Sequence, residues 1–187
     1  MRNFDRRYVR TEKTIYKAMI NLLQEKDPES LTLEDMVNEA DINKSTFYLH
    51  YQSLDQLVSA LEDDLVSGVS SAVYSLPNPH SIEDFFQIIF NYCSSNKELV
   101  KAVLRASTFR FNHKIENLFK KQLIPLKPIK RNKITDENTF LVTSLIQAEV
   151  GVFRIWVLDG CRFNKETVLA QCIKIAESEV YKNILIK

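Results

Sequence analysis

The chain has 187 residues, of which 45% are apolar, and a formal charge of +1. That is enough for one domain or two small ones with a sizeable core. The near-zero net charge by itself says nothing of nucleic acid; its distribution along the chain says more. With only three Gly and five Pro, long stretches lack breakers and carry amphipathic patterns, so the expected class is all-α.

Residues 8–26 place Ile15, Met19, Leu22 and Leu23 at helical spacing, ended by "KDPES". Next, "LTLEDMVNEADI" opens with Thr32 as cap and Asp35 three residues on, a weaker capping box. Leu33, Met36, Val37 and Ala40 then share a face over about two turns. Asp41-Ile42 breaks the pattern, and Asn43 caps a third short helix in which Phe47 and Tyr51 share a face. "SLDQ" pairs Ser53 with Gln56 ahead of a long helix through Leu54, Leu57, Leu61, Leu65, Val69 and Val73, stopped at "LPNP".

Two more helices open at "SIEDFFQIIFNYCSS" and "NKELVKAVLRAS", with Ser81/Asp84 and Ser95/Glu98 as expected caps. A less regular helix spans about Thr108 to Leu123, followed by the loop "IPLKPIKRNK" with Pro125 and Pro128. Two long helices finish the chain, about 136–159 and 164–185, separated by Gly160 as a stop and Asn164 as a cap. The first is apolar nearly all round, so both sides are expected to be buried. No internal repeat or low-complexity tract is visible.

Charge is uneven along the chain. The first 17 residues carry six Lys/Arg against two acids, and residues 120–133 are basic with no acid at all. Either stretch can be a solvated face or a polyanion contact. Cys93, Cys161 and Cys172 show no CxxC spacing and read as reduced thiols. The charged start "MRNFDRRYVRTEK" has no apolar h-region, and no window holds 18 apolar residues. A cytoplasmic protein is the expectation.

Three short helices with a tight turn between the last two form a helix-turn-helix candidate. The second helix of such a pair enters the major groove N-terminal end first. Phe47, Tyr51 and Ile42 would pack inward on Leu33, Val37 and Ile20. Asn43, Lys44, Ser45 and Thr46 supply polar groups at the tip. Tyr48 and His50 can reach phosphates, and Leu49 can meet a thymine methyl. Thr32 can hold a phosphate at the N-terminus of the preceding helix. Singly these are bland: a half-buried tyrosine, a surface histidine. The combination carries the weight.

"LTLEDMVNEADINKSTFYLHYQSLDQL" resembles the DNA-binding segment of the tetracycline-repressor (TetR) family, most strongly over Leu31–Leu57. The matching residues are Thr32, Ala40, Lys44-Ser45-Thr46-Phe47-Tyr48 and His50-Tyr51. The tail "GVFRIWVLDGCRFNKETVLAQ" is similar to a TetR branch that includes dihydroxyacetone-kinase regulators. The resemblance implies a helix-turn-helix domain over 1–52 and a helical regulatory and dimerisation domain over 53–187, with about nine helices in all. It also implies a double-stranded DNA operator as partner and a four-helix bundle between two copies. The near all-round apolar helix 136–159 fits that independently. Val150, Phe153 and Val157, with Val168, Cys172 and Ile175, are the expected partner-facing residues, and Gly151 would allow close approach; ordinary core packing is the alternative. Phe86, Phe90, Phe109 and Trp156, with His113 and Gln147, are expected either to line an effector pocket or to serve as core.

Two positions depart from the family pattern. Asp41 stands where the turn usually holds Gly, and Leu54 where a phosphate-binding Lys is common. Residues 1–51 carry 8 Lys/Arg against 9 Asp/Glu. These features keep open a second reading, a TetR-like protein-interaction module or co-activator with weak or lost DNA binding. No HExxH, GxSxG, GxGxxG or P-loop is present, the three His show no metal spacing, and neither a cofactor nor an enzymatic activity is expected.

Overall fold

The computed structural model describes residues 6–76, 81–106, 109–123 and 136–178. Among them are nine α-helices and one 3-10 turn, and no strand. They are α1 (Arg6–Glu25), α2 (Leu33–Glu39), α3 (Lys44–His50), α4 (Leu54–Tyr74), α5 (Ile82–Ser95), α6 (Lys97–Ala106), α7 (Phe109–Leu123), α8 (Asp136–Leu158) and α9 (Lys165–Ala176), with the 3-10 turn at Pro28–Ser30. Two compact units result. The first is Met1–Leu65 with Lys97–Ser107, the second Val66–Asn96 with Thr108–Lys187.

In the first unit α1 buries Ile15, Ala18, Met19, Leu22 and Leu23, residues spaced three and four apart on one stripe. That stripe packs on α2 and on α6. α6 contributes Leu99, Val100, Ala102, Val103 and Leu104. Each Val, Leu, Ile or Met side chain among them, removed from water, is worth about 1.5–3 kcal/mol. Two polar contacts fasten α6 to the end of α1: Gln24 Nε2 donates to the Glu98 carbonyl at 2.9 Å, and the Arg105 guanidinium donates to the Lys26 carbonyl at 3.2 Å. The Lys26 carbonyl lies just past the last turn of α1, where carbonyls have no intrahelical donor, so the Arg105 guanidinium supplies the missing bond. On the other side of α1, the Tyr16 hydroxyl donates to Asp64 of α4 at 2.6 Å.

In the second unit α9 packs on α5 and α8, and α7 on α8. The expected Ser81/Asp84 box opens α5, with both reciprocal bonds made. Asn164 Oδ1 accepts the Thr167 N–H at 2.8 Å and opens α9. Ser95 does not cap α6. It is the last residue of α5, and its hydroxyl donates to the Asn91 carbonyl at 3.1 Å, a bond back into its own helix that competes with capping. At the end of α8, Gly160 (φ 75°) and Cys161 (φ 56°) are left-handed. The Cys161 N–H reaches the Trp156 carbonyl and the Gly160 N–H the Val157 carbonyl, which is a Schellman closure.

Candidate nucleic-acid interface

α3 has seven residues, too few to be stable by itself. Its geometry is imposed at both ends and from behind. Upstream, Asp41 takes φ 51°, and the N–H groups of Asp41 and Ile42 bond back to the Asn38 and Val37 carbonyls at 3.2 and 3.0 Å. This left-handed closure ends α2 and turns the chain at once into Asn43. Asn43 Oδ1 then accepts the Thr46 N–H at 2.8 Å and the Ser45 hydroxyl at 2.7 Å. Behind, Phe47 is fully buried and its ring packs with that of Tyr51, at 6.1 Å between centroids. Phe47→Ala would leave a cavity costing about 3–5 kcal/mol.

With Phe47 holding the inner face, the opposite face is turned to solvent. Lys44 and Ser45 are exposed, Tyr48 is 56% exposed and Leu49 75%. Thr46 is half-buried. Leu49 and Tyr48 thus stand exposed side by side on a polar tip. At the start of α1, Arg6, Arg7 and Arg10 are exposed too.

Two expected contacts sit differently. The His50 ring stacks on Tyr8 of α1, centroids 4.0 Å apart at 27°, and its Nδ1 is buried with no hydrogen-bond partner. The ring is turned toward the protein, so the expected reach to a phosphate is not made through that nitrogen. Thr32 is exposed, but its hydroxyl donates to Asp35 Oδ2 at 2.8 Å while its Oγ1 accepts the Asp35 N–H at 3.1 Å. A hydrogen bond from Lys26, then those from Thr32, hold the Asp35 carboxyl down at about 2. The anion at the start of α2 is therefore the chain's own carboxylate, where the helix dipole favours it.

In the second unit, Phe86, Phe90 and Trp156, expected either to line a pocket or to serve as core, are buried among other rings. Phe90 packs against Phe153 (5.2 Å) and Trp156 (5.4 Å), Phe86 against Phe85 (5.4 Å), and Trp156 Nε1 donates to the Phe163 carbonyl at 2.8 Å. His113 does not join them. It is exposed, 4.0 Å from Glu116 one turn along. Gln147 is half-buried, and the side chain of Phe109 lies outside the described residues.

α8 has two faces. Ile146, Glu149, Phe153 and Trp156 follow one another at helical spacing on the inner one. Phe140, Ile155 and Leu158 are exposed on the opposite one. Phe153, expected to face a partner, is thus engaged inside its own chain. So are Val168 and Cys172, which are buried within the single chain. Burial, with the Glu149 charge adding to it, pushes the Cys172 thiol up to about 12. Val150, Val157 and Ile175 remain partly exposed.

Residues 15–61 match the family model described as "Bacterial regulatory proteins, tetR family". Residues 80–178, more than half of the chain, match the one described as "Transcriptional regulator C-terminal region". The chain belongs to the TetR family of transcriptional regulators. A curated relative, the uncharacterized HTH-type transcriptional regulator YxbF of Bacillus subtilis (strain 168), is 29% identical over 86 residues, 44% of this chain and 23% of that protein. The chain therefore matches about a quarter of that relative's length. Among solved structures, a TetR transcriptional regulator from Streptococcus agalactiae 2603V superposes with a TM-score of 0.70 at 23% identity, covering 93% of this chain and 97% of that one. A gamma-butyrolactone receptor (ArpA like protein) gives 0.61 at 18%, covering 89% and 85%. The dihydroxyacetone kinase operon activator DhaS gives 0.59 at 18%, covering 95% and 98%. At these identities the likeness is one of fold.

In this TetR-family chain the turn between α2 and α3 is left-handed at Asp41, with no glycine there. Sequence reading had no access to Tyr8, whose partner His50 is 42 residues away. It also missed Ile155, one of many apolar residues on a helix apolar nearly all round. Among the described residues no helix is long and apolar enough to cross a membrane, and no cluster of three or more His, Cys, Asp or Glu could hold a metal.

Proposed function

We propose that this TetR-family regulator is a ligand-responsive, one-component repressor that binds a palindromic operator as a homodimer in the cytoplasm. The observation that carries it is the outward aim of Lys44, Tyr48 and Leu49 over a fully buried Phe47. Lys44, Ser45 and Thr46 lead into the major groove, Leu49 meets a thymine methyl, and Tyr48 reaches a phosphate. Asn43 sets the tip, Thr32 borders it, and the exposed arginines of α1 follow the backbone.

The outer stripe of α8, with Phe140, Ile155 and Leu158, is the surface we assign to the second copy, flanked by Val150, Val157 and Ile175. Nothing lies within 4 Å of where a Cβ on Gly151 would stand, so a partner helix can approach closely there. A two-fold dimer reads two half-sites one helical turn, or a multiple, apart. The fold neighbour that is a gamma-butyrolactone receptor supports a small-molecule effector. Such an effector shifts operator affinity only by its differential binding to the two states.

A gel shift on DNA flanking its own gene tests the reading. A specific complex that weakens steeply with salt, and is lost in a Lys44→Ala/Tyr48→Ala variant of unchanged helicity, supports it. The second reading, a protein-interaction module, is favoured by the carboxylates of Asp35 and Asp41 on the reader. It is supported instead by salt-insensitive or absent DNA binding together with retention of a protein partner.

A further inference from the structure

α3 is secured at its front by the Asn43 cap and in its middle by Phe47, but its C-terminal end has no capping side chain of its own. The chain leaves it through Tyr51 in extended conformation (φ −138°). What covers that end is the first turns of α1. Tyr8 stacks on His50 with centroids 4.0 Å apart and planes only 27° from parallel. His50 Nδ1 is buried without a hydrogen-bond partner, so that atom does not orient the ring. Glu12, one turn on from Tyr8, lies close enough to Tyr51 to oppose its ionisation. Burial first, then Glu12 and Tyr8, push that hydroxyl up to about 12. His50 directly follows Tyr48 and Leu49, the two exposed side chains. Any swing of the helix end therefore displaces the groups that meet the groove.

We infer that Tyr8 is a positioning residue for operator recognition, holding the C-terminal end of α3 in register by stacking on His50. The inference rests on α3 being the DNA reader. Tyr8 acts through His50 and needs no contact with DNA. The contact with His50 is made by its ring.

The test uses the full chain and a duplex recovered from a randomised pool by the unaltered protein. Tyr8→Ala should weaken binding to that duplex roughly threefold to tenfold, the range expected for loss of one aromatic pair. Its affinity for a scrambled duplex, and the slope of log K against log salt, should be unchanged, since no phosphate contact is lost. Tyr8→Phe should restore the full specific affinity. Tyr8→Leu, which keeps apolar volume without a ring, should not, so a general packing defect is separated from loss of the stack. Equal losses in Tyr8→Phe and Tyr8→Ala with a shallower salt slope would mean a direct phosphate contact and overturn the inference. Unchanged specific affinity in Tyr8→Ala would overturn it as well. Failure of the unaltered protein to select any duplex is a different result: it removes the DNA-reading assignment itself and this inference with it.

Discussion

Asp41 offers a way to separate strain from charge at the reading head. It is exposed, left-handed at φ 51°, and two residues ahead of the cap that opens α3. Left-handed backbone costs an ordinary L-residue about 1–2 kcal/mol, Asn and Asp less because a short polar side chain bonds locally, and Gly almost nothing. Asp41→Asn keeps the tolerance and removes the charge. Asp41→Ala removes both. The alanine variant should therefore lose about 1 kcal/mol relative to the asparagine variant, which for a chain of this size is a melting-temperature difference of about 2–4 °C. The charge also acts on DNA through space. At about 10 Å in water, one charge repels one phosphate by about 0.4 kcal/mol, or about twofold in affinity. With several phosphates in range, Asp41→Asn should bind operator about two- to fourfold more tightly at low salt, and the gain should fade as salt shortens the screening length. Asp41→Gly should gain similarly in affinity, with little net change in stability, because relief of strain is offset by a freer unfolded chain. Thermal melts and a salt series of gel shifts read both quantities. Equal melting of the Ala and Asn variants would refute the strain argument. Unchanged affinity in all three would refute the placement of this turn beside phosphate.

The remaining expectations concern other parts of the chain. Ile155→Glu should give monomers by light scattering with a normal melt, whereas Phe153→Glu should lower stability by about 2 kcal/mol or more by placing a charge among the rings of Phe90 and Trp156. A normal melt for the Phe153 variant would show that its ring is not core. Burial pushes the Cys93 and Cys172 thiols up to about 12, so under native conditions a thiol reagent should modify one site quickly, the exposed Cys161, and all three only on unfolding. Asp35 should titrate near 2 by NMR, moving back toward the ordinary carboxylate value in Lys26→Ala. Because its folded pKa is the lower one, its contribution to stability is present above about pH 4 and is lost as pH falls toward 2.

Much of the fold was legible because local chemistry and packing agree. The caps at Thr32, Asn43, Ser81 and Asn164 are where short polar side chains precede apolar stripes. The left-handed residues Asp41 and Gly160 lie where those stripes stop. The inward Phe47 and outward Tyr48 and Leu49 follow from 3.6-residue periodicity alone. What periodicity cannot supply is the partner of a face. On α8, apolar side chains surround the axis, so nothing local separates Phe153 from Ile155; only the rings of α5 packed on one side do. His50 looked free because its cover, Tyr8, lies in another helix. Ser95 looked like a cap because its side chain is suited to one, yet its carbonyl partner one turn back won. The basic stretch at 120–133 lies largely outside the described residues.

The attachment of α6 to α1 has a practical corollary for anyone recombining such regulators. A graft cut after residue 65 would carry the reader yet leave behind the segment 97–106, which shields the apolar stripe of its first helix and answers the Lys26 carbonyl. Such an excised head would present raw hydrocarbon to water and clump. A chimaera that transplants 1–65 together with 97–106 keeps that shield in place.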